Sequence, residues 1–232
     1  KNTLKILILG DSFSLSAGAI DSLSWEKIIK ENLKNLGIDS KIFNLATPGY
    51  GLDQAYIRWQ KQGKYYNPDI VIIGITDGMI KNNLNLIRPI KTIRTGIPFS
   101  KPRFIIDDSD TLSLINYPTI AINKIIKIMS DLKNWQLLEF EYFYSDERYS
   151  NNIFYNFKIL TLATKVLDKK RYASRQREFY SLKNDASKIT LKILEKFKSD
   201  LKEDNAHLSL IHFPNKTSLE SLSIGSKIHY NE

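Results

Sequence analysis

Three short segments carry residue types that could do nucleophilic chemistry. The first is Gly10-Asp11-Ser12-Phe13-Ser14, which follows directly on the apolar run Leu4 to Leu9. Ser12 supplies a hydroxyl. Such a group becomes a nucleophile when an oriented base takes its proton and nearby donors hold the oxyanion formed on the attacked carbonyl. The second segment is Asn44-Leu45-Ala46-Thr47-Pro48-Gly49-Tyr50-Gly51. Its Pro48 and two glycines mark a tight turn where the main chain can approach a ligand closely. The backbone N–H groups of Ser12 and Gly49 are therefore candidate oxyanion donors. The third is Gly74-Ile75-Thr76-Asp77, whose Thr76 offers a side-chain donor. Singly, each also reads as an ordinary strand-to-loop turn in which polar side chains bond nearby backbone. Their order and common context favour chemistry.

That context is a series of buried strands. Leu4 to Leu9 and Ile70 to Ile75 are nearly continuous apolar runs without strict alternation, as a strand covered on both faces requires. Ser40 to Leu45 reads as a shorter strand between them. Trp25, Ile28, Ile29, Leu33 and Leu36 recur at helical spacing, with Ser24 as cap and Gly37 as stop. A second helix opens at Asp53 and runs to about Tyr65, where Asn67-Pro68 breaks it. Strands alternating with helices predict a doubly wound, mostly parallel α/β sheet, and ligands of such sheets bind beyond the carboxyl ends of the strands. All three chemical segments fall there.

The region from 84 to 183 reads as a long insertion or lid within a single domain spanning 1–232. Pro89, Pro98, Pro102 and Pro118 punctuate it, Asp107-Asp108-Ser109-Asp110 reads as a surface turn, and Trp135 to Tyr149 is rich in aromatics. Those aromatics read first as a small core of their own, and second as a helix or lid over the cleft. Ile189, Ile193, Leu194, Phe197 and Leu201 then define a periodic helix capped near Asn184 or Asp185, which feeds a strand from Leu208 to Phe213. Thr217 to Glu232 reads as the start of a further loop-helix connection.

The three segments, in this order and spacing, resemble the first three blocks of the SGNH (GDSL-type) hydrolases. Pro68-Asp69 and Lys101-Pro102-Arg103-Phe104 are similar to bacterial members with a long insertion. The likeness covers the first third of the chain well and the rest in outline. It implies the family's three-layer α/β sandwich, Ser12 as nucleophile, and Ser12, Gly49 and Thr76 as the oxyanion hole. The implied reaction is hydrolysis of a small-molecule or carbohydrate acyl ester, an O-acetylated sugar being one candidate, without metal or cofactor. Transfer of the acyl group to a sugar hydroxyl is a close variant.

Two departures bear on that expectation. The family's third block carries an asparagine where this chain has Thr76, and its base and orienting acid lie in a C-terminal Asp-x-x-His that is not found here. Of the three histidines, His207, just before the last strand, and His212, within it, read as structural, and His229 has Ser226 three residues before it where the motif would have an acid. The expectation is that the final block lies beyond Glu232. The alternative is a catalytically inactive SGNH-like module that binds glycans or a protein.

Composition excludes several other classes. With 232 residues, 42% hydrophobic and 11% aromatic, the chain can build a core. The formal charge of +9 is spread along helices, for example Lys27, Lys30 and Lys34, and only Lys169-Lys170-Arg171 with Arg175 and Arg177 forms a cluster. Solvated helix faces explain this pattern, and no nucleic-acid partner is expected. The absence of cysteine removes disulfides and thiolate metal sites. No Gly-x-Gly-x-x-Gly follows the first strand, which argues against a dinucleotide. No stretch has membrane-spanning length. The chain begins at Lys1, and an upstream export signal or membrane anchor is one expectation.

Overall fold

The computed structural model describes residues 3–20, 23–92, 95, 98–145 and 184–214. The basic cluster at 169–177, His229, residues 146–149 of the aromatic stretch and the segment 217–232 lie outside the described residues. The chain divides into two compact units, one of residues 1–82 with 193–232 and one of residues 83–192.

The first unit is built on four parallel strands: β1 (Leu4–Leu9), β2 (Ser40–Asn44), β3 (Ile70–Ile75) and β6 (His207–His212). They lie in the order β2-β1-β3-β6. The two most apolar runs occupy the centre, where both faces must be covered. Side chains alternate between faces along a strand. Ile6, Ile8 and Ile72 meet Trp25, Ile29 and Leu33 of α1 (Trp25–Asn35). Leu7, Leu9, Val71 and Ile73, all fully buried, alternate with them and so point to the opposite face. That face holds Leu52, Tyr56 and Trp59 of α2 (Leu52–Lys61), while Tyr56 makes an edge contact of 4.8 Å with Phe197 of a long helix running to Glu203. Burying each such side chain stabilises the fold by about 1.5–3 kcal/mol. The fold is thus the mostly parallel α/β sheet that the strand pattern predicts.

Local expectations fare unevenly. In α1 the packed stripe is Trp25, Ile29 and Leu33, whereas Ile28 and Leu36 remain exposed. Ser24 occupies the N-cap position, but its side chain makes no capping bond. Gly37, at φ +75°, ends the helix as expected, with the Ile38 N–H returning to Leu33 O. α2 stops at Lys61 and not near Tyr65, because a 3₁₀ turn, Gly63–Tyr66, intervenes. A Cβ at Gly63 would stand 2.8 Å from both Leu7 Cδ2 and Trp59 Cε3, so only glycine fits under the sheet there.

In the second unit, short elements enclose their own core: α3 belongs to the first unit (Asp77–Asn82), and α4 (Arg88–Lys91), β4 (Arg103–Ile106), β5 (Leu112–Ile115) and α5 (Ile122–Ser130) follow. Leu86, Ile87, Ile90, Ile125 and Leu132 form its buried centre, with Trp135, Phe140, Phe143 and Tyr144 packed around them. β4 and β5 are an antiparallel pair that flanks the turn at 107–110. Asp107 organises that turn by accepting from the N–H groups of Ser109 and Thr111 and from the Ser113 hydroxyl, which together hold its carboxyl below the usual range. The long helix α6 (Asp185–Glu203) starts where Asn184 caps the Ala186 N–H at 2.8 Å.

Glu141 is the buried carboxylate of this unit. It accepts from the N–H groups of Leu86 (2.6 Å), Ile87 (3.0 Å) and Phe143 (3.2 Å) and from the Asn85 amide. Burial raises its pKa above the ordinary glutamate value, although these donors pull the other way. A raised folded-state pKa means that the folded chain holds the proton more tightly than the unfolded one. This contribution to stability is therefore complete below the unfolded glutamate value, near 4.3. It is lost as pH rises through the higher folded value. Glu141→Gln should remove that acid-side decline, seen as a flatter stability profile in denaturant melts across the window. It should also cost about 1–2 kcal/mol at every pH, because an NH₂ group now faces backbone donors.

Candidate active site

Each chemical segment leaves the carboxyl end of a parallel strand, and side chains bolt the three loops to one another. Between the first and second, the Thr47 N–H donates to Gly10 O at 3.0 Å. Asn44, the last residue of β2, spans the same pair: its amide donates to Ser14 O at 2.9 Å and its carbonyl accepts from the Ala46 N–H at 3.0 Å. Trp25 Nε1 donates to the same Ser14 carbonyl at 2.9 Å. Between the second and third, Asn82 at the end of α3 donates to Gly49 O and Tyr50 O, both at 3.1 Å. The third returns to the first through the Thr76 hydroxyl, which donates to Asp11 Oδ2 at 2.5 Å. The circuit closes around Ser12.

Within the first loop, buried Asp11 accepts from the Phe13 N–H at 2.9 Å, so its carboxylate grips the turn on both sides of Ser12. Ser14 is fully buried and donates to Gly74 O at 3.3 Å. It sits between two glycines: a Cβ at Gly10 or at Gly74 would fall 2.0 Å or 2.1 Å from Ser14 Oγ. Ser12 itself is half-buried, and among the described residues its hydroxyl has no hydrogen-bond partner.

Of the three expected donors, two differ from the third. Among the described residues, neither the Ser12 N–H nor the Gly49 N–H has a hydrogen-bond partner. Thr76 is otherwise disposed. Its single hydroxyl proton is engaged by the Asp11 carboxyl at 2.5 Å, and its oxygen accepts from the Met79 N–H at 3.3 Å, so here it serves as a tie between loops. Two nearby asparagines that could offer a side-chain donor are also engaged: Asn82 on the Gly49 loop, and Asn83 on Thr190 Oγ1 at 2.9 Å.

The two described histidines differ in place. His207 opens β6 at the amino edge of the sheet, where its N–H bonds Asp69 O. His212 ends the same strand at the carboxyl edge, with Nε2 3.7 Å from Asp77 Oδ1. Asp77 also faces Lys81, whose ammonium is pulled below the usual lysine range by burial and partly restored by that carboxylate. What sequence reasoning overlooked is thus the role of Asn44 and Asn82 as ties and of Asp77 as a partner of His212. Asn44 alone had a signal, its place inside the second segment. Among the described residues no group of three or more metal-ligating side chains converges, and no helix is long and apolar enough to cross a membrane.

The elements and loops define an α/β unit with a serine, two unengaged N–H groups and a bolted loop circuit at one sheet edge. Comparison with protein-family models and with curated proteins found no match. Solved structures similar to parts of the chain include TesA, at 20% identity over 34% of this chain and 49% of that one, with a TM-score of 0.31. AlinE4, described as an SGNH-hydrolase family esterase, is 20% identical over 37% of this chain and 46% of its own, with a TM-score of 0.31. A lipase/acylhydrolase from Enterococcus faecalis is 24% identical over 36% and 42%, with a TM-score of 0.29. The chain spans less than half the length of these structures.

Proposed function

We propose that this chain carries the nucleophile and part of the oxyanion hole of an SGNH-type serine ester hydrolase. The observation that carries the reading is the pair of N–H groups, Ser12 and Gly49, on loops that hydrogen-bond each other beside the Ser12 hydroxyl, all three without a hydrogen-bond partner among the described residues. In the proposed reaction Ser12 Oγ adds to the ester carbonyl as its proton passes to a general base. The carbonyl oxygen becomes an anion held by the two N–H groups. Collapse expels the alcohol, which takes up the proton, and leaves an acyl-enzyme. Water then adds by the same route and releases the acid and the free serine. A carbohydrate hydroxyl in place of water would make the same intermediate an acyl donor.

The test is treatment of the full-length protein with a fluorophosphonate, peptide mass mapping of the adduct, and product analysis on acetyl esters with and without a sugar acceptor. An adduct on Ser12 with release of acetate is the expected result, and an unlabelled protein that releases no acid overturns the reading. The engagement of Thr76 by Asp11 favours one alternative, a non-catalytic glycan- or protein-binding module. That module would bind an acylated sugar without turnover.

A further inference from the structure

Pro48 and Gly49 occupy the centre of a four-residue turn. The Tyr50 N–H returns to Thr47 O at 3.2 Å and Gly49 lies at φ +77°, the signature of a type II turn with proline second and glycine third. The central peptide, here Pro48–Gly49, makes no hydrogen bond of its own among the described residues. Its N–H is the Gly49 donor on which the proposed oxyanion hole depends. On the amino-terminal side the turn is anchored at Thr47, whose N–H bonds Gly10 O and whose hydroxyl accepts from Arg58 Nη1 at 3.0 Å. On the carboxyl-terminal side Gln54 Oε1 accepts from the Gly51 N–H at 3.4 Å, and the Asn82 amide donates at 3.1 Å to the carbonyls of both Gly49 and Tyr50.

We infer that Asn82 is a positioning residue, acting through the Gly49 peptide: by fixing two successive carbonyls it aims the Gly49 N–H at the carbonyl under attack by Ser12. The inference rests on the ester-hydrolase reading of this site. Glycine at position 49 makes such an anchor necessary, since a residue without Cβ has the freedom to rotate its peptides. An oxyanion donor is effective only when it is already in place as charge develops. Removing Asn82 therefore weakens transition-state binding and leaves ground-state binding unaffected.

The experiment uses the full-length protein with an acetyl ester as substrate and a simple alkyl boronic acid as the tetrahedral probe. In Asn82→Ala, kcat should fall roughly 10- to 100-fold, the range for a misaimed donor, with KM within about twofold of wild type. Boronate affinity should fall by the same factor as kcat. Asn82→Asp keeps the shape but presents a carboxylate to the two carbonyls, and it should lose as much. This second variant answers the question where the alanine variant does not fold. Kinetics and boronate affinity within about threefold of wild type in a folded variant overturn the inference, as does a fall in melting temperature alone. If wild type is neither labelled at Ser12 nor bound by boronate, the hydrolase reading itself fails and the inference falls with it.

Discussion

Ser12→Ala in the full-length protein is expected to abolish fluorophosphonate labelling and to lower ester hydrolysis by about 10⁴- to 10⁶-fold, the range found when the nucleophile of a serine hydrolase is removed. The size of the effect follows from what would remain. The Ser12 and Gly49 N–H groups belong to the backbone and survive the change, so on the proposed reading oxyanion binding would persist while covalent catalysis would be gone. The variant should also keep its fold. Ser12 is half-buried, and its hydroxyl has no partner among the described residues, so deletion orphans no buried group. Unchanged denaturant stability alongside lost labelling is therefore the expected pair of results. Labelling that persists in Ser12→Ala would assign the nucleophile elsewhere. A structural serine would give the opposite pair, a loss of stability with little effect on whatever chemistry the protein has.

The framework of this site was legible because it depends on local rules. β1 and β3 are apolar on both faces because they are central, and a parallel sheet places the loops after them at one edge. Gly49 was legible for the same reason, since Pro-Gly encodes a turn with a positive φ. The ties between loops were not. Asn44, Asn82 and Thr76 choose partners 30 or more residues away in sequence, apart from Asn44 on Ala46 and Thr76 on Met79. No periodicity records which carbonyl or carboxylate will be nearest. Thr76 illustrates the consequence: its chemistry allowed a donor to substrate, whereas in the fold its hydroxyl donates to the buried Asp11 carboxyl. Glu141 is a similar case. In the sequence it is a charged residue among aromatics, and only the folded loop brings backbone donors to it. The β4–β5 pair escaped notice because four-residue strands carry too little alternation to register beside the turn they flank.

Gly10→Ala should be strongly destabilising, costing about 2–5 kcal/mol. Two costs combine. At φ +148° a side chain is strained by about 1–2 kcal/mol wherever it sits. The new Cβ would also meet Ser14 Oγ at 2.0 Å, Ser14 Cβ at 2.6 Å and Gly74 O at 2.8 Å. The serine cannot simply rotate away, since its Cβ is among the clashing atoms, and its carbonyl is held by Trp25 and Asn44. The backbone must shift, at an overpacking cost of about 1–3 kcal/mol. Gly18→Ala separates the two contributions. Gly18 also has a positive φ, +88°, but nothing lies within 4 Å of its Cβ position. It should cost only about 1 kcal/mol. Equal losses in the two variants, read from denaturant melts, would mean that the Ser14 notch gives way without resistance. A larger loss at Gly10, accompanied by slower labelling of Ser12, would establish that the notch holding Ser14 also holds the residue two positions before it.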